Sequence, residues 1–313
     1  MNARFRKNFH LLAACGCLHT SPPATAMRKT IVYILSTNYA GSHYLSLLLG
    51  SHSRAKHLGE VKMLRKYSEE GSFGFDGRLI RGSILQGIGP ENIQDAYEII
   101  FSRVSSETDL LVDASKTVRW ARQFLKDQRY EKRYIHLIRD PRAILRRNLK
   151  ASSFFKQLRR RWWLFQEYPS LRGSIYFKPE SYVWAYLWLR TNQEISRFLQ
   201  EHQLPHLLVT YKDLATNPAV EVRRMMEWLG ATYEPAQLEY WNFDHIGTEK
   251  RSYDSVKEQK KSYFDLRWQK EIPPDIQAGI AADPLINQYL DSLGIRFTPE
   301  GLTRGVGEPV PAL

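Results

Sequence analysis

A run of seven β-branched and aromatic residues, Thr30 to Ser36 (TIVYILS), passes through a small-residue turn into the helical stretch Ser42 to Gly50 (SHYLSLLLG). That composition marks a buried strand, followed by a helix that stops at a glycine. The same alternation returns along the chain. Strands are predicted at 55–58, 109–112, 133–138 (RYIHLI) and 206–210 (HLLVT). Helical patterns are predicted at 60–69, 91–106, 117–126, after Pro141, at 180–200 and at 220–229, the last closed by Gly230. Strands alternating with helices predict an α/β fold with a central parallel sheet and helices on both faces. Residues 71–90 hold six glycines and a proline and read as a loop-rich insertion. No repeat and no linker follows residue 27, so 27–313 is read as a single domain.

Composition narrows the function classes. Of 313 residues, 43% are hydrophobic and 25% charged, which excludes disorder over the whole length. No apolar run approaches the roughly 20 residues of a bilayer span. With 45 Lys and Arg against 33 Asp and Glu, the net charge of +12 favours anionic partners. Cys15 and Cys17 are the only cysteines. They supply neither a disulfide framework nor a four-ligand zinc site, no metal-ligand cluster stands elsewhere, and no metal is expected. A cysteine-free body fits a cytoplasmic location. Residues 1–26 carry Arg4, Arg6 and Lys7, a short apolar patch and no acid. The apolar stretch before Cys15 is shorter than the roughly 7–15 residues of a signal core, so this segment is expected to be a disordered extension, with Met27 at the start of the folded body.

Two places combine structure with chemistry. In ILSTNYAGSHYL, a turn of Asn38, Tyr39, Ala40 and Gly41 joins the first strand to a helix opening with Ser42 and His43. Backbone N–H groups around such a turn form an anion cradle. The nucleotide-triphosphate loop GxxxxGKS/T is absent, and no lysine precedes the helix. In YIHLIRDPRAILRRNLK, a strand ends at Arg139 and Pro141 can begin a helix. Arg139 is thereby placed at the carboxyl end of a strand, where open α/β sheets bind ligands. From Arg139 to Arg161 there are nine basic residues and one acid.

The strand–turn–helix together with strand–RDPRA–helix resembles the sulfotransferases that use 3′-phosphoadenosine 5′-phosphosulfate (PAPS). LVDASK at 111–116, HLGE at 57–60, VTYKDLATNPAVEVRRMMEWLG, and HIGTEKR with the later DLRW at 265–268 are similar to further family segments in family order. The Gly-Glu step of HLGE resembles that of tyrosylprotein sulfotransferases and related bacterial enzymes. The resemblance spans roughly 28–270 and implies a P-loop-like three-layer αβα fold. It implies that Asn38 to His43 cradle the 5′-phosphosulfate and that Arg139, Arg147 and Arg251 reach the 3′-phosphate. Two positions depart from the family. Tyr39 stands where the loop usually carries a cation, and Arg147 stands where a serine is common.

Sulfuryl transfer needs a base for the acceptor hydroxyl, cations for the leaving phosphate and an in-line arrangement. Glu60 is the candidate base, with a pKa that partial burial would raise toward a useful range. Lys116 is the candidate for stabilising the bridging oxygen, and His43 and His57 are alternative bases. The acceptor is expected to be a small-molecule or carbohydrate hydroxyl. A P-loop kinase, a catalytically impaired PAPS-binding relative and a nucleic-acid binder using the basic run are the alternatives. The kinase lacks its phosphate-binding lysine, and no nucleic-acid-binding signature is present.

Overall fold

The computed structural model describes residues 28–66, 84–149, 154–245 and 264–305. The N-terminal extension, most of the glycine-rich insertion, and Arg251 with its HIGTEKR segment beyond His245 lie outside the described residues.

Five parallel strands form the central sheet: β1 (Thr30–Ser36), β2 (Ala55–Gly59), β3 (Leu110–Lys116), β4 (Glu131–Ile138) and β5 (His206–Thr210), in the order β2-β3-β1-β4-β5. Every residue of β1 is buried. Alternation along it serves two cores. Ile31, Tyr33 and Leu35 pack on one face with Leu111, Tyr134, Phe124 and Phe198. Val32 and Ile34 pack on the other with Leu45, Leu48, Ile135, Val209 and Met225. Helices thus cover both faces, and the result is a three-layer α/β fold around a parallel sheet, as the strand–helix alternation predicts.

The crossover helices include α1 (Ser42–Gly50), α2 (Ala96–Phe101), α3 (Val118–Ala121), α4 (Pro141–Asn148), α5 (Phe154–Glu167), α6 (Glu180–Glu201), α7 (Tyr211–Thr216) and α8 (Pro218–Trp228). Three predicted helices come out shorter or tighter. Residues 61–66 form a 3-10 turn, α2 has six residues after a 3-10 turn at 93–95, and α3 passes into a 3-10 turn at 122–124. Their apolar residues obey the expected pattern, but packing rather than a long hydrogen-bonded helix satisfies them. A third core joins α4 and α6 to a C-terminal block of short helices, Pro274–Ala281 and Pro284–Asp291, and a hairpin of β6 (Ile295–Thr298) and β7 (Gly301–Arg304). No described helix is long and apolar enough to cross a membrane.

Candidate active site

All five strands of a parallel sheet end on the same side, and there the site candidates meet. The loop after β1 carries Asn38 to Gly41, β2 runs into Glu60, and β3 ends on Lys116. On the other flank β4 runs into Arg139, and β5 into Tyr211. β1 lies at the centre, with β3 on one side and β4 on the other, so a crevice between their carboxyl ends is expected on topological grounds.

The β1–α1 loop is built by backbone twist. Tyr39 has φ 65° and Gly41 φ 98°, both left-handed. Glycine alone fits at 41, because a Cβ there would stand 2.7 Å from the Tyr211 ring. Gly41 caps α1 without a side-chain hydrogen bond, and a helix leaves its first N–H groups without intrahelical acceptors. The opening N–H groups of α1, from Ser42 onward, therefore face the loop as donors suited to an anion. Ser42 and Ala40 are buried, whereas the side chains of Asn38 and Tyr39 are exposed, Tyr39 at 52%. Within the turn, the Tyr39 backbone carbonyl takes part in the site.

That carbonyl accepts a 2.9 Å hydrogen bond from Nη1 of Arg139. The Arg139 guanidinium lies 4.1 Å from the centroid of the Tyr211 ring and 3.4 Å from the Asp265 carboxylate. Its Nε is buried with no partner. Asp265 also takes a forked pair of bonds from Arg267 and lies 3.7 Å from Arg146, which holds Glu271 at 2.6 Å. Burial by itself would raise the Asp265 pKa, but the Arg267 fork and the Arg139 charge outweigh it and hold the carboxyl well below the usual range. Arg139 is thus a largely buried cation already meeting two oxygens, with its Nε–H among the donors left over, and it suits a phosphate.

The other arginine of RDPR does a different job. Asp140 caps α4 by accepting from the Arg142 backbone N–H at 2.8 Å, and the Arg142 fork closes back onto it at 3.0 and 2.6 Å. Arg142 is further packed against the Trp268 and Phe297 rings at 4.4 and 4.9 Å. It is a structural residue joining α4 to the C-terminal block. Arg147 is exposed on α4.

On the opposite side of β1, Glu60 lies between two lysines. Lys116 donates to its Oε1, and Lys62 stands 3.0 Å from Oε2. Lys116 adopts φ 66°, a left-handed turn that ends β3. The strand end is fixed by Asp113, which is buried and accepts from the Ser115 N–H at 2.7 Å, the Tyr97 hydroxyl at 2.6 Å and the Trp120 indole at 2.7 Å. Lys62 is pinned by its bond to the Ser115 carbonyl at 2.7 Å. The expected rise in the Glu60 pKa is reversed. Burial pushes it up, but the charges of Lys116 and Lys62 push it further down, so the carboxyl is ionised at neutral pH.

Behind this pair lie three histidines edge to face, His43 to His57 at 5.3 Å and His57 to His245 at 5.5 Å between ring centroids. Burial, and for His43 the nearby Lys116 charge, lowers their pKa values, to about 4 for His43 and His245. His57 is fully buried with neither ring nitrogen hydrogen-bonded. It lies so close to α1 that a Cβ on Gly50 would stand 2.5 Å from its backbone N–H nitrogen. His57 is a packing residue with no open path to a substrate proton. His43 and His57 are neutral at pH 7, and Glu60 is the ionised carboxylate at this end of the crevice.

Lys62, Tyr211 and Asp265 complete the geometry. Tyr211 and Asp265 stand within recognisable segments of the sequence, although their contacts with Arg139 are tertiary. Lys62 had no sequence signal beyond its place two residues after Glu60. Among the described residues, no group of three or more His, Cys, Asp or Glu side chains converges as a metal site.

No protein-family model and no curated protein sequence matches the chain. Solved structures do. The sulfotransferase domain from the curacin biosynthetic pathway superposes with a TM-score of 0.57 at 18% identity, over 86% of this chain and 99% of that one. The sulfotransferase domain of the Synechococcus PCC 7002 olefin synthase gives 0.52 at 19%, over 88% and 98%. This chain has the sulfotransferase-domain fold. In it, the β1–α1 loop and the carboxyl ends of β2, β3 and β4 bring Glu60, Lys116, Arg139 and the Asn38–His43 turn to one edge of the sheet.

Proposed function

We propose that this protein is a PAPS-dependent sulfotransferase that transfers a sulfuryl group to a hydroxyl of a small-molecule or carbohydrate acceptor. The observation carrying this reading is the pair of charge clusters at the carboxyl ends of the strands, on a sulfotransferase-domain fold. An anion-binding turn with Arg139 stands on one flank, and the ionised Glu60 between Lys116 and Lys62 on the other. The unpartnered Nε of Arg139 and the uncapped start of α1 are the donors that fit two separated phosphate groups.

In the reaction, the acceptor oxygen attacks sulfur and its proton passes to Glu60. The bond from sulfur to the bridging oxygen breaks, and the electron pair leaves with the 5′-phosphate. Lys116 gives up its bond to Glu60 and neutralises that oxygen, and Lys62 keeps the carboxylate oriented. A low Glu60 pKa makes the carboxylate fully ionised, and its basicity rises when Lys116 turns to the leaving group.

Thermal stabilisation by 3′-phosphoadenosine 5′-phosphate, compared with ATP and with a DNA oligomer, tests the reading. The bisphosphate is expected to raise the melting temperature well above either competitor. A larger shift with ATP favours a kinase, and one with DNA a nucleic-acid binder.

A further inference from the structure

The surface of α5 is unlike the rest of the molecule. Leu164 is the only buried residue of its fourteen. At 100° per residue, Phe154, Phe155, Leu158, Trp162 and Phe165 fall on one contiguous face. The first four are exposed, Phe155 at 82%. The patch continues onto the next segment, where Phe165 meets the Tyr176 ring at 6.0 Å and Phe177 is 88% exposed. An exposed apolar surface of this kind marks an interaction site.

The charges around it have one sign. Arg159 and Arg172 are exposed at its margins, Arg159 against Trp163 and Arg172 against Phe165, and Lys156 is exposed further round the helix, beyond Trp163. From Phe154 to Gln166 the helix has no acid. The nearest carboxylates are engaged: Glu180 binds Arg160 at 2.7 Å and Arg161 at 3.3 Å, and Glu167 lies 3.6 Å from Arg190. Those contacts also turn Arg160 and Arg161 inward, where Arg161 bonds the Ile175 and Lys178 carbonyls at 2.5 and 2.8 Å. They fix the helix so that its aromatic face points to solvent.

We propose that this face docks the protein on an anionic lipid bilayer, with α5 lying in the interfacial plane. Protruding Phe and Trp side chains enter the headgroup–acyl boundary, and Lys156, Arg159 and Arg172 meet lipid phosphates. Aromatic rings prefer that boundary, and the charge complementarity favours lipid over a neutral or basic protein surface. The proposal is independent of the reaction assigned to the crevice.

Vesicle co-sedimentation of the full chain tests it, using an equal mixture of phosphatidylcholine and phosphatidylglycerol against phosphatidylcholine alone. The protein is expected to sediment with the anionic vesicles, and less as salt is raised. The double variant F155S/W162S is expected to lose about tenfold or more of the binding at unchanged melting temperature. The charge variant K156Q/R159Q is expected to lose it only on anionic vesicles. Brominated lipid is expected to quench tryptophan fluorescence in the wild type and less in F155S/W162S. Failure to bind either vesicle overturns the proposal. So does binding that both variants retain, which would assign it to another basic segment. A dimer in sedimentation velocity that F155S/W162S dissolves would assign the face to a second copy and also overturn it.

Discussion

The two flanks of the crevice use different cations. Around Arg139 the positive groups are arginines, and Arg139, Arg146 and Arg267 share Asp265. Around Glu60 they are lysines, Lys116 and Lys62. An arginine keeps its charge at any physiological pH and offers fixed, directional N–H groups, which suits an anion that is bound and released unchanged. A lysine is a compact charge on a flexible stem that can move between partners. In the proposed reaction the arginine flank would hold the anion, and the lysine–carboxylate flank would change state.

The most damaging way to break that division is Glu60→Gln. The amide keeps the size of the carboxylate and removes its basicity. Single-turnover transfer is expected to fall roughly 10²–10⁴-fold while bisphosphate affinity stays within error. Lys116→Ala is expected to slow transfer too, with a modest effect on product binding. A Glu60→Gln protein with wild-type transfer would remove the base assignment. A large loss of bisphosphate affinity would show that the two flanks are not separate.

Acidity sharpens the contrast, because the Glu60 flank rests on a cluster of three buried histidines. His57 faces His43, His245 and Lys56, and His43 faces Lys116 and Glu60. His43 and His245 have folded-state pKa values of about 4, against 6.5 when unfolded. Between those values the unfolded chain binds more protons than the folded one. Stability is therefore complete above about pH 6.5 and is lost as pH falls toward 4, by at most about 1.4 kcal/mol per pH unit for each histidine. His136, in β4 and bonded to Asn192, contributes in the same window with a pKa of about 4. Melting temperatures from pH 8 to about 4.5 check the sign. His57→Leu, which removes one titrating group, is expected to flatten the acid side of that curve.

Much of this architecture is legible in the sequence because the central strands are continuous apolar runs. TIVYILS and HLLVT leave little choice of structure, and the elements after them follow. The C-terminal block is different. Pro274–Ala281 and Pro284–Asp291 have eight residues each, and their buried side chains make sense only against α4 and α6. Within the site, Glu60, Lys116 and Arg139 are readable because each ends or follows a strand. The clamp that Lys62 adds to Glu60 is not, since it depends on where the β3 turn puts the Ser115 carbonyl. In RDPR the strand end already sets Arg139 apart from Arg142 in the sequence, whereas the folding of Arg142 back onto the Asp140 cap and the Trp268 ring is visible only in the structure.

The smallest effects test how local the arginine flank is. Arg139→Ala removes a charge-assisted contact and is expected to weaken bisphosphate binding by about 1.5–3 kcal/mol, roughly 10- to 150-fold. Arg147 was expected from the family pattern to contact the same phosphate. It lies on α4, one residue beyond Arg146, whose guanidinium turns toward Asp265, whereas Arg147 is exposed. Successive helical residues point about 100° apart, so Arg147 leaves α4 in a different direction from Arg146. Arg147→Ser is accordingly expected to change affinity by no more than about 0.5 kcal/mol, the usual range for an exposed side chain. Isothermal titration of the two variants with the bisphosphate decides between a flank built on the strand-end arginine and one that recruits the helix. Equal losses would mean that the serine common in the family has been replaced by a longer-reaching phosphate ligand.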